Sequence, residues 1–142
     1  IPTQTSYVEA LRPLLNAYGN STDFNLIVFT LDETAYSREL APLAGHYPSL
    51  KLGPAWWFHD SPEGMRRFRE QTTETAGFYN TVGFNDDPRA FLSIPARHDM
   101  ARRIDCGFLA RLVADHRLRE AEAHELASEL ACGLARSAYR LQ

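Results

Sequence analysis

The sequence predicts a parallel α/β fold, in which short apolar strands alternate with amphipathic helices. Three observations carry this reading. Residues 24–31, 50–53 and 81–84 are short, mostly apolar runs of the kind that suits strands covered on both sides by helices. Helical periodicity fills the stretches between them, and strands separated by helices imply right-handed parallel crossovers. The last run ends abruptly in Asp86 and Asp87, with Arg89 close behind. A strand that delivers an acid and a cation at its carboxyl end is how parallel α/β enzymes build sites, because the next loop faces an open crevice there.

Taken in order, Ser6-Tyr-Val-Glu9 reads as a capping box, hydroxyl and carboxylate each satisfying a free amide donor. Tyr7, Leu11, Leu14, Leu15 and Tyr18 then share one helical face, and Gly19 supplies a stop. Residues 24–31 form the first expected strand, buried on both faces. Asp32 can cap a helix bearing Tyr36, Leu40, Leu43 and Ala44, ending at Gly45. Pro42 predicts a kink or break inside it, since proline lacks the donor and clashes with the preceding turn. Residues 50–53 are the second strand, opening into the aromatic loop Pro54-Ala-Trp-Trp-Phe-His-Asp60.

Ser61-Pro-Glu-Gly64 is a strong helix start, with serine at the cap and proline at the first helical position. That helix carries Met65 and Phe68 and stops near Gly77, before the third strand. Beyond it, Met100, Ala101, Ile104, Phe108, Leu112 and Val113 make one stripe, flanked by Arg102, Arg103, Asp105 and Arg111. In the last helix Leu126, Ala127, Leu130, Ala131, Leu134, Ala135, Ala138 and Tyr139 recur in adjacent pairs. Its acids lie early and its arginines late, complementing the helix dipole.

The chain has 142 residues, 44% hydrophobic and 23% charged, the balance of an ordinary globular domain. It reads as one unit over 1–142, without linker or internal boundary. A net charge of −3 gives no global attraction to nucleic acid or an anionic membrane. No apolar run approaches the ~20 residues of a membrane span, and no signal-peptide pattern is visible. Cys106 and Cys132 fall on the predicted apolar helix faces, so both are expected as buried free thiols in a reducing, cytoplasmic setting. The chain begins at Ile1 rather than Met, from which a processed, cleaved or truncated amino end is expected. Three parallel strands leave both outer edges unpaired, so the chain reads as part of a larger α/β unit.

The residues able to do chemistry cluster at two strand ends. Trp56 and its neighbour Trp57 could form an apolar wall for a substrate, an indole N–H donating a hydrogen bond; for Trp57 and Phe58 the competing reading is a packing plug. His59 and Asp60 read either as an acid/base pair or as residues that order the loop and its helix cap. Asp86 and Asp87 could serve a divalent cation or simply cap a polar turn. They are too few for a metal site by themselves, and His46, His59, His98, His116 and His124 show no ligand spacing. No G-x-S-x-G, Gly-rich phosphate loop or C-x-x-C is present.

Three segments together resemble the carboxyl-terminal part of the uronate isomerases (glucuronate isomerase), members of the amidohydrolase superfamily. They are Leu52-Gly-Pro-Ala-Trp-Trp-Phe-His-Asp-Ser-Pro-Glu-Gly-Met65, Val82-Gly-Phe-Asn-Asp-Asp-Pro-Arg-Ala-Phe-Leu-Ser93 and Ala96-Arg-His-Asp-Met-Ala-Arg-Arg103. The resemblance covers nearly all of the chain, and the motifs occur in the family's order and spacing. It implies a (β/α)₈ TIM-type barrel, of which this chain would supply about three parallel strands with helices and a carboxyl-terminal helix pair. It also implies aldose–ketose isomerisation of hexuronates, glucuronate to fructuronate and galacturonate to tagaturonate.

Under that resemblance Asp87 matches the acid at the end of the last strand, which lies at the divalent metal and takes part in proton transfer. Arg89 matches an arginine expected on substrate oxygens, and Trp56 the tryptophan lining the sugar pocket. The implied cofactor is a divalent metal, zinc before others, with no organic cofactor. Its histidine ligands would lie in an amino-terminal part that this chain does not contain. The implied partners are a hexuronate, that amino-terminal part and further copies in a homo-oligomer. Pro88 departs from the family, which commonly carries Ser or Thr there. Two other readings stay open: a metal-dependent hydrolase of the same superfamily, and an inactive fragment or interaction module.

Overall fold

A computed structural model describes residues 3–142; Ile1 and Pro2 lie outside the described residues. Helix α1 is Tyr7–Tyr18 and strand β1 is Leu26–Val28. A π-helical turn, Tyr36–Leu40, runs directly into α2, Ala41–His46. Strand β2, Leu50–Leu52, is followed by a short 3-10 turn at Trp57–His59 and by α3, Pro62–Ala76. A second 3-10 turn, Phe91–Ser93, leads into the long α4, Ile94–Ala114. Finally α5, Glu120–Ser128, passes through a π-helical turn, Glu129–Gly133, into α6, Leu134–Ala138.

The sheet is parallel but smaller than expected. β1 pairs with β2 in the register Leu26↔Leu50, Ile27↔Lys51 and Val28↔Leu52. The third predicted strand survives as a single parallel bridge, Leu52↔Thr81. Leu52 N–H donates to the Asn80 carbonyl at 2.9 Å, and Val82 N–H donates back to Leu52 at 3.0 Å. The ladder stops there because Gly83 takes a positive φ of 69° and turns the chain aside. A Cβ at Gly83 would lie 2.5 Å from the Leu130 carbonyl oxygen, so only glycine permits the approach. Phe84 N–H then donates to that carbonyl at 3.3 Å, tying this segment to the last helix instead of to a strand.

Burial also departs from expectation at β1. Its three residues are half-buried rather than covered on both faces, since among the described residues one edge has no strand neighbour. β2 and residues 81–84 are the deep part of the sheet, with Leu50, Leu52 and Val82 at 0–1% exposure. The main core sets Leu50, Leu52 and Phe84 with Leu15, Leu40, Met65 and Phe68, and Tyr36 lies edge-on to Phe68 at 5.1 Å. A second cluster joins Leu109 of α4 to Leu126, Leu130 and Leu134, the every-fourth pattern read from the sequence.

The predicted capping box at Ser6 and Glu9 does not form. Ser6 makes no side-chain cap, and Glu9 pairs instead with Arg12. The cap comes from far along the chain: the buried Glu39 carboxylate accepts from the N–H groups of Tyr7 (2.5 Å) and Val8 (3.1 Å). A carboxylate on free amides at a helix amino end is favourable both as a hydrogen-bond acceptor and against the dipole. Asp32 does not cap the helix as read: its Oδ1 accepts from Thr34 N–H at 3.1 Å within the preceding turn, and the helical segment begins at Ala35 without a side-chain cap. Pro42 sits in the first turn of α2, immediately after the π-helical turn, where its missing donor is tolerated.

Two further findings concern polarity. Cys106 and Cys132 are both exposed rather than buried. On α4 the inward positions are 101, 105, 108, 109 and 112, which leaves 106 facing out; on the last helix Leu130 and Leu134 occupy the inward face, with Cys132 between them. Asp105, read only as one of the charges flanking the apolar stripe, is buried beneath α3. Arg69 meets it with two parallel bonds, Nε to Oδ1 at 2.7 Å and Nη2 to Oδ2 at 2.9 Å, and a third reaches Thr81 Oγ1 at 3.4 Å. One guanidinium thus joins α3, α4 and the third parallel segment. No helix among the described residues is long and apolar enough to cross a membrane.

A cleft at the carboxyl ends of the parallel segments

As each parallel segment ends, its chain enters the wall of one cleft of about 960 Å³. Phe29 follows β1; Ala55, Trp56, Trp57, Phe58 and Asp60 follow β2. Residues 84–90 follow the Thr81 bridge, Arg97 enters from α4, and Tyr139 closes the side just past α6. Two glycines make the strand ends fit. Gly83 is described above, and a Cβ on Gly53 would fall 2.3 Å from the Phe29 ring. The cleft therefore stands where parallel α/β topology puts binding sites.

The structure brings together every residue named from the sequence for this site: Trp56, Asp87 and Arg89 all line the cleft. Asp87 and Arg89 are exposed, and among the described residues neither side chain has a hydrogen-bond or ion-pair partner. A free carboxylate and a free guanidinium two positions apart are thus presented to whatever enters. Pro88 between them fixes its own φ and holds Asp87 to extended backbone.

Trp56 is half-buried and its indole N–H is already committed, donating to the Thr30 carbonyl at 3.0 Å. Its ring is braced edge-on by Phe29 at 5.7 Å. What it offers a ligand is a fixed apolar surface, not the donor expected from the sequence. Trp57 and Phe58 are 52% and 59% exposed, so they plug nothing within the described residues. Trp57 has a φ of 55°, a left-handed conformation costing roughly 1–2 kcal/mol outside glycine. That turn carries its ring outward, edge-on to Trp56.

His59 and Asp60 do not act on each other. His59 Nε2 lies 3.0 Å from the Leu31 carbonyl and its Nδ1 3.6 Å from Glu33, so it ties the loop to the end of β1. Asp60 turns the other way and accepts from Arg97 Nη2 at 2.7 Å. The helix cap next to them is real and independent: Ser61 Oγ accepts from Gly64 N–H at 3.1 Å.

Arg97 is the residue that reading the sequence missed. Its Nε donates to Asp86 Oδ1 at 2.6 Å while Nη2 holds Asp60, so it bridges the two loops. The bonds to Asp60 and then Asp86 raise its pKa further above the ordinary guanidinium value, against partial burial, and it stays charged. A signal was present. Arg97 sits in the opening turn of α4, where the dipole disfavours a cation, and no acid lies three or four positions away on that helix.

Asp86 is the covered member of the acid pair, its side chain 3% exposed. Its Oδ2 and the neighbouring Asn85 Oδ1 are buried acceptors without a partner among the described residues. Asn85 Nδ2 donates to the Tyr139 hydroxyl at 3.0 Å, and burial raises that phenol's pKa while this bond opposes it. The donor set of the cleft is all oxygen. Among the described residues no three His, Cys, Asp or Glu side chains gather into a metal centre, so this chain's own groups do not fit a complete one. Asp87 is the carboxylate left free to contribute to one.

Comparison with known proteins gives one consistent result. A family model described as glucuronate isomerase matches residues 2–136. The chain is 77% identical over 141 residues to the uronate isomerase of Sphingopyxis alaskensis, covering 99% of this chain and 30% of that protein. Against the uronate isomerase of Phenylobacterium zucineum the identity is again 77%, over 29% of that protein. The crystal structure of glucuronate isomerase from Caulobacter crescentus superposes with a TM-score of 0.97 at 70% identity, over all of this chain and 30% of that one. That of uronate isomerase from Thermotoga maritima superposes with 0.88 at 26% identity, over 96% of this chain and 30% of that one. The chain spans about 30% of the length of the curated relatives it matches.

Proposed function

The chain belongs to the glucuronate isomerase family, and we propose that it supplies one wall of a site that interconverts aldose and ketose hexuronates, glucuronate with fructuronate and galacturonate with tagaturonate. The observation that carries this is the gathering of Trp56, Asp87 and Arg89 at one strand-end cleft. In this reading the chain is the carboxyl-terminal part of a (β/α)₈ barrel and works with the remainder of that barrel, in a homo-oligomer.

The reaction moves a proton between C1 and C2. A base removes the C2 proton of the aldose, the electron pair forms the C1=C2 bond, and the C1 oxygen takes up negative charge or a proton. Returning a proton to C1 and removing one from the C2 hydroxyl gives the ketose. Such a step needs a carboxylate within hydrogen-bond reach of the carbon-bound proton and a cation for the developing enediolate. Asp87 is the exposed carboxylate, and it has no competing partner among the described residues. Arg89 is the exposed guanidinium beside it, suited to the planar carboxylate or paired oxygens of a uronate. Trp56 supplies a rigid apolar face against which a sugar ring can lie, with its N–H already satisfied.

A divalent metal, zinc before others, enters this proposal at Asp87 alone, with histidines from outside this chain. When bound it would polarise the sugar oxygens.

The test is to incubate an isomerase of the relatives' full length, carrying this segment, with glucuronate and galacturonate in D₂O. Ketose formation with deuterium incorporation at the transferred position is expected. Faster hydrolysis of lactones or amides than interconversion of uronates would favour the superfamily's hydrolases instead.

A further inference from the structure

We propose that Arg97 is a positioning residue of this site: by tying the loop after β2 to the loop after the Thr81 bridge, it sets where the Asp87 carboxylate stands. The inference rests on the reading of the cleft given above and extends it to a residue outside the Trp56, Asp87 and Arg89 set. Its geometry is a split fork. Arg97 Nε donates to Asp86 Oδ1 at 2.6 Å and Nη2 to Asp60 Oδ2 at 2.7 Å, and the two acids belong to different strand-end loops. A planar guanidinium can hold both at once with fixed relative orientation; a lysine ammonium is a point charge on a flexible stem and cannot.

The clamp bears on Asp87 through the backbone. Asp86 is buried, so leaving it unpaired is costly and its place is firmly set by Arg97. Asp87 is the next residue, and Pro88 after it restricts its backbone to extended conformations. Asp87 is therefore pinned between a clamped carboxylate and a proline. Because its own side chain has no partner among the described residues, the backbone does the aiming. Arg97 acts through Asp86 and leaves Arg89 as the guanidinium open to substrate.

The experiment compares wild type, Arg97→Lys and Arg97→Ala in two settings. In the full-length isomerase, Arg97→Lys is expected to lower kcat by roughly 100-fold, the scale of a displaced catalytic group, with KM nearly unchanged. Arg97→Ala is expected to be worse and to recover activity when guanidinium ion is added at millimolar concentration. Full kcat in Arg97→Lys, or a rise in KM with kcat intact, would overturn the inference, the latter by making Arg97 a direct substrate contact. In the 142-residue chain, Arg97→Lys is expected to shift the backbone amide resonances of Asp87 and Arg89 while those of α1 stay in place. Unmoved Asp87 and Arg89 amides would also overturn it. If wild type does not interconvert hexuronates, the functional reading falls, while the amide shifts still decide whether Arg97 sets the loop.

Discussion

Arg69 and Arg97 each join elements distant in sequence through carboxylates, yet they are built for different ends. Arg69 is 4% exposed and gives both arms of its fork to one acid, Asp105, with a third bond to Thr81. The charges cancel one for one, as a buried pair requires if its desolvation is to be offset. Arg97 is 30% exposed and divides its fork between Asp60 and Asp86, each on its own loop. There the acids outnumber the cations: Asp60, Asp86 and Asp87 face Arg89 and Arg97 in the same cleft. Asp86 Oδ2 and Asn85 Oδ1 are left as buried acceptors without partners. The closed pair holds the fold together behind the sheet, and the open one aims groups in front of it. Buried polar atoms without partners also occur elsewhere among the described residues, at Asp32, Tyr36, Ser49 and Gln71, but in the cleft two adjacent residues carry them.

Replacing each arginine is the most severe trial of that contrast. Arg69→Met strands Asp105 in the core, and denaturant unfolding of the 142-residue chain is expected to show a loss of about 3–5 kcal/mol. Arg97→Lys keeps the charge and one bond, so the same measurement should show a loss of only about 1 kcal/mol. Equal losses would mean that both arginines serve stability and would dissolve the distinction.

A smaller effect sharpens it. Glu39→Gln keeps the shape of the α1 cap but removes the charge from the amides of Tyr7 and Val8. A loss of about 0.5–1 kcal/mol is expected, read by urea denaturation, with α1 amides losing exchange protection first. No change in the Asp87 or Arg89 resonances is expected, since Glu39 belongs to the structural side of the molecule.

What could be read from the sequence, and what could not, divides along similar lines. The order of helices and parallel segments was legible because apolar periodicity reports which face of an element is covered, and Leu50, Leu52, Leu126, Leu130 and Leu134 obey it. The third strand was legible as a buried segment but not as a bridge. Its release from the ladder depends on Gly83 meeting the Leu130 carbonyl, a contact between distant parts of the chain. Charged residues at helical spacing read as solvated, so nothing local marked Arg69, Asp105 or Glu39 as buried partners. The local capping pattern at Ser6 lost to Glu39 for the same reason: a tertiary carboxylate outcompetes the neighbouring one. The exposed thiols were misplaced because alanine-rich helices offer several faces that look equally apolar.

The site was more legible than the fold around it. Position after apolar runs placed the tryptophan loop, the Asp86 and Asp87 pair and Arg89 at the cleft, while the choice of Trp56, Asp87 and Arg89 among them came from the family resemblance. Missing were the residues that orient them. Arg97 was missed although it lacks a partner on its own helix, and the Trp56 N–H found Thr30 across the sheet.

The account turns on Asp87 as the proton-transferring carboxylate, and one measurement addresses it directly: turnover of glucuronate by the Asp87→Asn variant of the full-length isomerase, with its unfolding midpoint recorded alongside. Asparagine is nearly isosteric and Asp87 has no partner to lose among the described residues, so the midpoint should hold while kcat falls by about 10²–10⁴-fold. Turnover within a few-fold of wild type at an unchanged midpoint would contradict the account and remove Asp87 from the reaction.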